Sequence, residues 1–247
     1  MKAVDDVKTT GWTLLPGCFS ADAMAAWAGR LGESFSGDPS RGIREREGGV
    51  YAARNIIEIA PWIRDAWRAP PLVESVLSVL GPRAGLVRGL FFDKPPNQSW
   101  ALPWHKDLLI TVEPVDSVPT GYSTPRLRAG VWHTEPPVEV LEAMLTLRIH
   151  LDAVTVDNGP LEVLTGSHVS GKTVDPGAFR AETILCGAGD VLAMRPLLVH
   201  SSGRSREGTD QHRRIVHLEF ASEAVLPGGV RWNLFEPVRA EADPLRS

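Results

Sequence analysis

The sequence has 247 residues, 43% hydrophobic and 23% charged, with a net charge of −4. That size suits one large domain with a real core, and the composition excludes a disordered, collagen-like or coiled-coil chain. The charge balance gives no electrostatic case for nucleic acid or an anionic membrane as a partner.

At the start of the chain, MKAVDDVKTTGW holds no apolar signal core and carries two early acids. No apolar run reaches the ~20 residues that a membrane span needs. Cys18 and Cys186 are too few for a disulfide framework or a cysteine zinc site, so a reducing, cytoplasmic location is expected. Ser20 is placed to cap a helix over residues 21–33. The polar, glycine-rich stretch 36–49 reads as a flexible surface loop. A second helical zone runs from about residue 61 to 80, broken at Pro70-Pro71 and stopped by Gly81-Pro82.

The texture then changes. Segments 85–93, 105–113, 144–156, 159–166, 181–187, 190–200 and 213–221 are short, branched and apolar, separated by Gly, Pro, Asn and Asp. Thr146, Arg148, His150 and Asp152 alternate with Leu147, Ile149 and Leu151, the period of a half-buried strand. The expected class is mainly β with flanking helices, a sandwich or barrel such as a jelly roll. A single domain is expected over 1–247: a helical part to about 82, a β core over about 83–222 and a tail over 223–247. The insert 113–142 contains five prolines and reads as a lid or loop over one sheet.

Seven histidines raise the question of a metal. An iron(II) site on such a scaffold needs two His and one carboxylate on one face of the ion, leaving positions open for co-substrate and oxygen. His-x-Asp at a strand end supplies two ligands from one side, since residues i and i+2 share a face. Two such pairs exist, His105-Lys106-Asp107 and His150-Leu151-Asp152. Their pattern alone does not choose between them.

The run Asn158-Gly159-Pro160-Leu161-Glu162-Val163-Leu164-Thr165-Gly166-Ser167-His168 resembles the Asn-Gly-Pro-Leu…Pro-Gly-Ser-His signature of the phytanoyl-CoA dioxygenase family. Pro103-Trp104-His105-Lys106-Asp107 resembles that family's Trp-His-Gln-Asp, with Lys106 in place of the common Gln and Thr165 in place of the common Pro. Residues 194–202 resemble its distal-histidine strand and 213–221 its final strand, in the family's order. The resemblance implies a double-stranded β-helix and an iron(II)- and 2-oxoglutarate-dependent oxygenase. It puts His105, Asp107 and His200 on the ligand positions and leaves His168 on a loop. It also places an Arg for the 5-carboxylate of 2-oxoglutarate at Arg213, with Arg214 pointing the other way into a surface salt bridge. Ser202 can share that clamp, and Arg148 is a further candidate, the alternative being an ion pair with Asp152.

The reaction implied is hydroxylation of an unactivated C–H bond with oxygen, releasing succinate and carbon dioxide. The family's halogenating relatives lack the carboxylate that Asp107 supplies, so halogenation is not expected; desaturation, cyclisation and epimerisation are the alternatives. Two other classes are a non-oxidative metal-dependent isomerase on the same three ligands and a non-enzymatic β-sandwich binding module. The expected partner is a small-molecule substrate, with Trp104, Trp132 and His133 as candidate contacts and Trp100, Phe91 and Phe92 beside them. Each of these side chains is equally at home in ordinary core or loop packing. Oligomeric state is not legible.

Overall fold

Most helices precede residue 82 and most strands follow it, because the apolar period shifts from 3.6 to 2 there. The computed structural model describes residues 2–35, 42–46, 49–96 and 100–239. It begins with α1 (Lys2–Thr10), β1 (Trp12–Leu15) and α2 (Ala21–Phe35). The Ser20 hydroxyl accepts from the Ala23 N–H at 3.2 Å, the expected cap of α2. The hairpin β2 (Ile43–Arg46) and β3 (Gly49–Arg54) comes next. This corrects the plain surface loop expected over 36–49; of that stretch, 36–41, 47 and 48 lie outside the described residues. β2 is an edge strand, where charged side chains are tolerated and protect against mispairing, so its composition reads as loop.

Short helices α3 (Ile56–Ile59) and α4 (Ile63–Ala66) precede α5 (Pro70–Leu80). Pro70 and Pro71 fill the first turn of α5, where absent N–H groups cost nothing, and the Gly81 N–H closes it on the Leu77 carbonyl at 2.8 Å. The strands then run β4 (Gly85–Lys94), β5 (Leu102–His105), β6 (Ile110–Val112), β7 (Arg126–Arg128) and β8 (Val131–Thr134). After α6 (Val138–Glu142) come β9 (Met144–His150), β10 (Leu161–Leu164), β11 (Ala181–Ile184), β12 (Val191–Met194), β13 (His200–Ser202), β14 (Arg213–Ala221) and β15 (Glu236–Pro237).

The fold is mainly β and of the jelly-roll class. The large sheet has the order β1-β12-β9-β14-β4-β3-β2, with β15 added beside β4; the second is β11-β10-β13-β5, and β6-β8-β7 forms a third. One face of the large sheet carries Leu147 and Ile149 of β9 and Val216, Leu218 and Phe220 of β14. These pack on Met24, Leu31, Trp67 and Leu72 of the helices. Each such side chain contributes about 1.5–3 kcal/mol by leaving water. The second sheet closes one end of the sandwich, Leu161, Val163 and Ile184 meeting Leu192, Met194 and Leu198.

All of β9 is buried, which corrects the expectation of a half-buried strand. Its alternation separates a hydrocarbon core from a buried polar cavity instead of from solvent. In that cavity the registers set Lys94 beside Arg213, Leu90 beside His217 and Arg88 beside Glu219. Arg148 lies beside His217 on the other side. The insert 113–142 is built, with β7 and β8 continuing β6 and α6 packing on Val87, Leu226 and Trp232. Among the described residues no helix is long and apolar enough to cross a membrane.

Candidate metal centre

β5 ends on His105 and β13 starts on His200, and the antiparallel register pairs these two residues directly. Their ring centroids lie 4.2 Å apart. Asp107 follows two residues on, its N–H held by the Pro196 carbonyl at 3.0 Å. Its Oδ2 stands 3.7 Å from His200 Nε2. One donor atom from each of the three lies within 4.8 Å of the others. In both histidines Nδ1 meets the carbonyl two residues back, Pro103 at 2.7 Å and Leu198 at 2.9 Å. A ring whose Nδ1–H is donated in this way leaves the Nε2 lone pair free for a metal.

Burial, the largest influence, pushes the His200 imidazole down to about 4, so it is neutral near pH 7. Burial would raise the Asp107 carboxyl, but His200, His217, His105 and Arg148 together hold it below the ordinary range. Asp107 Oδ2 is buried without a hydrogen-bond partner. A dry, unpaired carboxylate oxygen is costly, and a cation between it and the two Nε2 atoms removes that cost. The donor set of two imidazoles and one carboxylate suits iron(II).

His150 and Asp152 do not converge. His150 Nδ1 lies 3.1 Å from the Asp190 carbonyl, and burial, then Arg148, pushes its imidazole down to about 3. Asp152 is held bidentately by Arg214, with Nε to Oδ2 at 2.9 Å and Nη2 to Oδ1 at 2.6 Å. Arg148 therefore has no ion pair with Asp152. His168 is also elsewhere, its Nε2 3.2 Å from the Lys8 carbonyl.

Behind the triad is a chamber of about 90 Å³ lined by Arg213, Arg148, Lys94 and Ser202. Arg213 donates to the Gly159 carbonyl at 2.7 Å, while its Nε and that of Arg148 are buried without partners. Burial, then Arg148, lowers Arg213 to about 9. Lys94 donates to Ser202 Oγ at 3.0 Å; burial, then Arg213 and Arg148, pushes it down to about 7. Three crowded cations at the end of a small chamber form a receptor for an anion. The signature loop holds both halves of this site. The Ser167 hydroxyl accepts from the Val199 N–H at 2.8 Å, beside His200. Gly159, at φ +68°, lies so close to Gly203 that a Cβ there would meet its carbonyl oxygen at 2.6 Å.

A larger chamber of about 460 Å³ adjoins the first at Asp107. Leu90, Phe92, Trp100, Leu102 and Asp107 line both chambers.

A sequence profile described as Phytanoyl-CoA dioxygenase (PhyH) matches residues 7–215. The chain belongs to the phytanoyl-CoA dioxygenase family. Among solved structures it is similar to the non-heme alpha ketoglutarate dependent epimerase SnoN from nogalamycin biosynthesis. That match has 17% identity and a TM-score of 0.69, covering 98% of this chain and 96% of SnoN. EctD from S. alaskensis, solved with bound Fe, matches at 18% identity and TM-score 0.67 over 89% of this chain and 75% of its own. EvdMO1 matches at 20% and 0.62 over 89% of this chain, which spans 49% of EvdMO1. As a phytanoyl-CoA dioxygenase family member the chain is an enzyme of the iron- and 2-oxoglutarate-dependent oxygenases, with iron(II) as its metal and 2-oxoglutarate and oxygen as co-substrates. The donor set and the cationic chamber fit both groups.

For this family member, sequence reasoning missed Lys94 and the arginines of the outer chamber. Lys94 had a signal, since it shares the Leu90–Phe92 face of β4; its register partner, Arg213, is set by the fold. Three candidate substrate contacts, Trp104, Trp132 and His133, line neither chamber. Trp104 neighbours His105 in β5, and strand alternation turns it away. His133 is buried between the Val131 carbonyl at 2.9 Å and Arg88 at 3.2 Å. Trp132 packs with Val112 and Trp232 in the cluster that α6 of the insert also joins. Phe91 faces the helices, its ring 4.9 Å from Phe35, while Phe92 and Trp100 do line the cavity.

Trp132→Ala should therefore lower stability by about 2 kcal/mol, less than a fully buried Trp costs. Iron content and coupled turnover of the folded fraction should stay normal. Thermal melts, metal analysis and succinate yield test this; normal melting with lost coupling would restore Trp132 as a lid.

Proposed function

We propose that the chain is a non-haem iron(II)- and 2-oxoglutarate-dependent dioxygenase that hydroxylates an unactivated C–H bond of a small molecule, releasing succinate and carbon dioxide. One observation carries the reading: two histidines and a carboxylate converge in a chamber that Arg213, Lys94 and Ser202 also line. His105 and His200 would hold the metal through Nε2 and Asp107 through its carboxylate. Bound iron supplies the activation of oxygen for attack on a C–H bond.

The chain's own residues do the rest. Arg213, with Ser202, takes the 5-carboxylate of 2-oxoglutarate; Lys94 adds a second charge, and Arg148 lines the same chamber. A buried carboxylate requires such partners, because an isolated one is expensive to desolvate. Neutral His200 loses no proton on ligation. Leu90 and Phe92 give the space beside Asp107 apolar walls, which would help exclude water once substrate is bound. A single domain and a cytoplasmic location belong to the same reading.

The test is succinate formation from 2-oxoglutarate with candidate small molecules, with and without iron(II), oxygen and a chelator. Formation that requires iron(II) and oxygen and is abolished by the chelator supports the proposal. Turnover of a substrate without iron or 2-oxoglutarate would replace it with the isomerase reading. Mass analysis of the product separates hydroxylation from desaturation, cyclisation and epimerisation.

Lys94 adds a pH dependence. In the free chain its ammonium is present below about 7 and lost above. A carboxylate binds the charged form, so 2-oxoglutarate affinity should be full near about pH 6 and fall as pH rises past about 7. Lys94→Met should weaken binding at the lower pH and flatten the profile. A wild-type dissociation constant that stays level across this range would remove Lys94 from the clamp.

A further inference from the structure

The outer chamber has an unbalanced charge. Arg44 of β2, Arg54 of β3, Arg88 of β4 and Arg128 of β7 all line it. Three acids share the lining, and each has its own role or partner. Asp107 belongs to the metal centre, Glu219 lies 3.4 Å from Arg88, and Glu135 is 2.8 Å from Lys172. Lys106 also faces this space, but its ammonium is tied to Ser170 Oγ at 2.9 Å and the Ser167 carbonyl at 3.1 Å. Arg44, Arg54 and Arg128 have no acidic partner among the described residues. Arg54 is half-buried, and both burial and the neighbouring Arg88, Arg44 and Arg128 oppose its charge.

Four strands thus deliver like charges to one space, a costly arrangement without an anion between them. Toward Asp107 the same chamber is apolar, with Leu90, Phe92, Trp100 and Leu102. We infer that the substrate is a small molecule with an apolar body and a terminal oxyanion, a carboxylate, sulfonate or phosphate. Arg54, Arg44 and Arg128 bind the oxyanion, and the apolar wall sets the body beside the metal centre. A volume of about 460 Å³ suits a small organic ligand. Guanidinium forks are matched to oxyanions. This rests on the outer chamber being the substrate side of the proposed oxygenase site.

The test uses a matched pair of fluorescent probes, 8-anilinonaphthalene-1-sulfonate and its neutral counterpart N-phenyl-1-naphthylamine. They are titrated into the full chain, anaerobically, with iron(II) and saturating 2-oxoglutarate. Wild type should prefer the sulfonate at least about tenfold, the scale of charge-assisted hydrogen bonds. The preference should shrink with added salt, since Arg44 and Arg128 are exposed. Arg54→Gln/Arg128→Gln should abolish it, with circular dichroism confirming the fold. Equal wild-type affinities would overturn the inference even if that variant did not fold. So would a preference kept in the double variant but lost in Arg213→Ala, which would place the anion in the inner chamber. The absorbance of the iron–2-oxoglutarate complex, read in the same samples, reports separately on the oxygenase proposal.

Discussion

Asp107→Ala should empty the metal centre, and Asp152→Ala should leave it full. Asp107 Oδ2 is a buried acceptor with no partner, 3.7 Å from the free nitrogen of His200. Its removal deletes the one charged ligand of three. Loss of a group that merely orients a ligand costs about 10–100-fold in metal affinity, so loss of the ligand should exceed about 100-fold. His105→Ala should behave alike. Asp152 belongs to a partly exposed pair with Arg214. Its loss should cost about 1 kcal/mol of stability and no iron. Iron is counted after anaerobic loading and desalting. Should Asp152→Ala alone come out metal-free, the ligand set is wrong.

Arg213→Ala should raise the dissociation constant for 2-oxoglutarate by two to three decades or more, and Arg214→Ala by far less. Removing one partner of a buried charge pair costs about 3–5 kcal/mol, and about 1.4 kcal/mol is a factor of ten. Arg213 is buried at the end of the inner chamber. Arg214, one residue on, points to the opposite face and is spent on Asp152. The absorbance of the iron–2-oxoglutarate complex measures both variants. Small and equal shifts would remove Arg213 from the co-substrate site. If Lys94 shares the load, Arg213→Ala/Lys94→Met should lose more than either change alone.

The substrate side was least legible. Phe91 and Phe92 are equivalent in composition, but adjacent strand residues face opposite ways, so one lines the cavity and the other the helix core. Trp132 and His133 are neighbours in β8, so strand alternation turns them opposite ways, Trp132 onto the cluster with Val112 and Trp232 and His133 against Arg88. Proximity in sequence was a poor guide there because a hairpin can turn its side chains to either side.

By itself the sequence determined the strand-rich class, the capped α2, the start of α5 at Pro70 and the motif blocks around His105, Asp107 and His200. The first three rest on local chemistry: a period of two, a hydroxyl before an apolar run, fixed φ at proline. The motif blocks rest on the resemblance to the family. The pattern of residues left two His-x-Asp pairs open and the family resemblance favoured His105 and Asp107; the structure brings that pair together with His200 through antiparallel registry between residues 95 positions apart. It likewise decided that Lys94 joins Arg213, and that Arg44, Arg54, Arg88 and Arg128, scattered along the chain, share one chamber. Charge in a sequence has no direction. Only packed strands, whose pleat commits each side chain to one face, turn scattered arginines into a site.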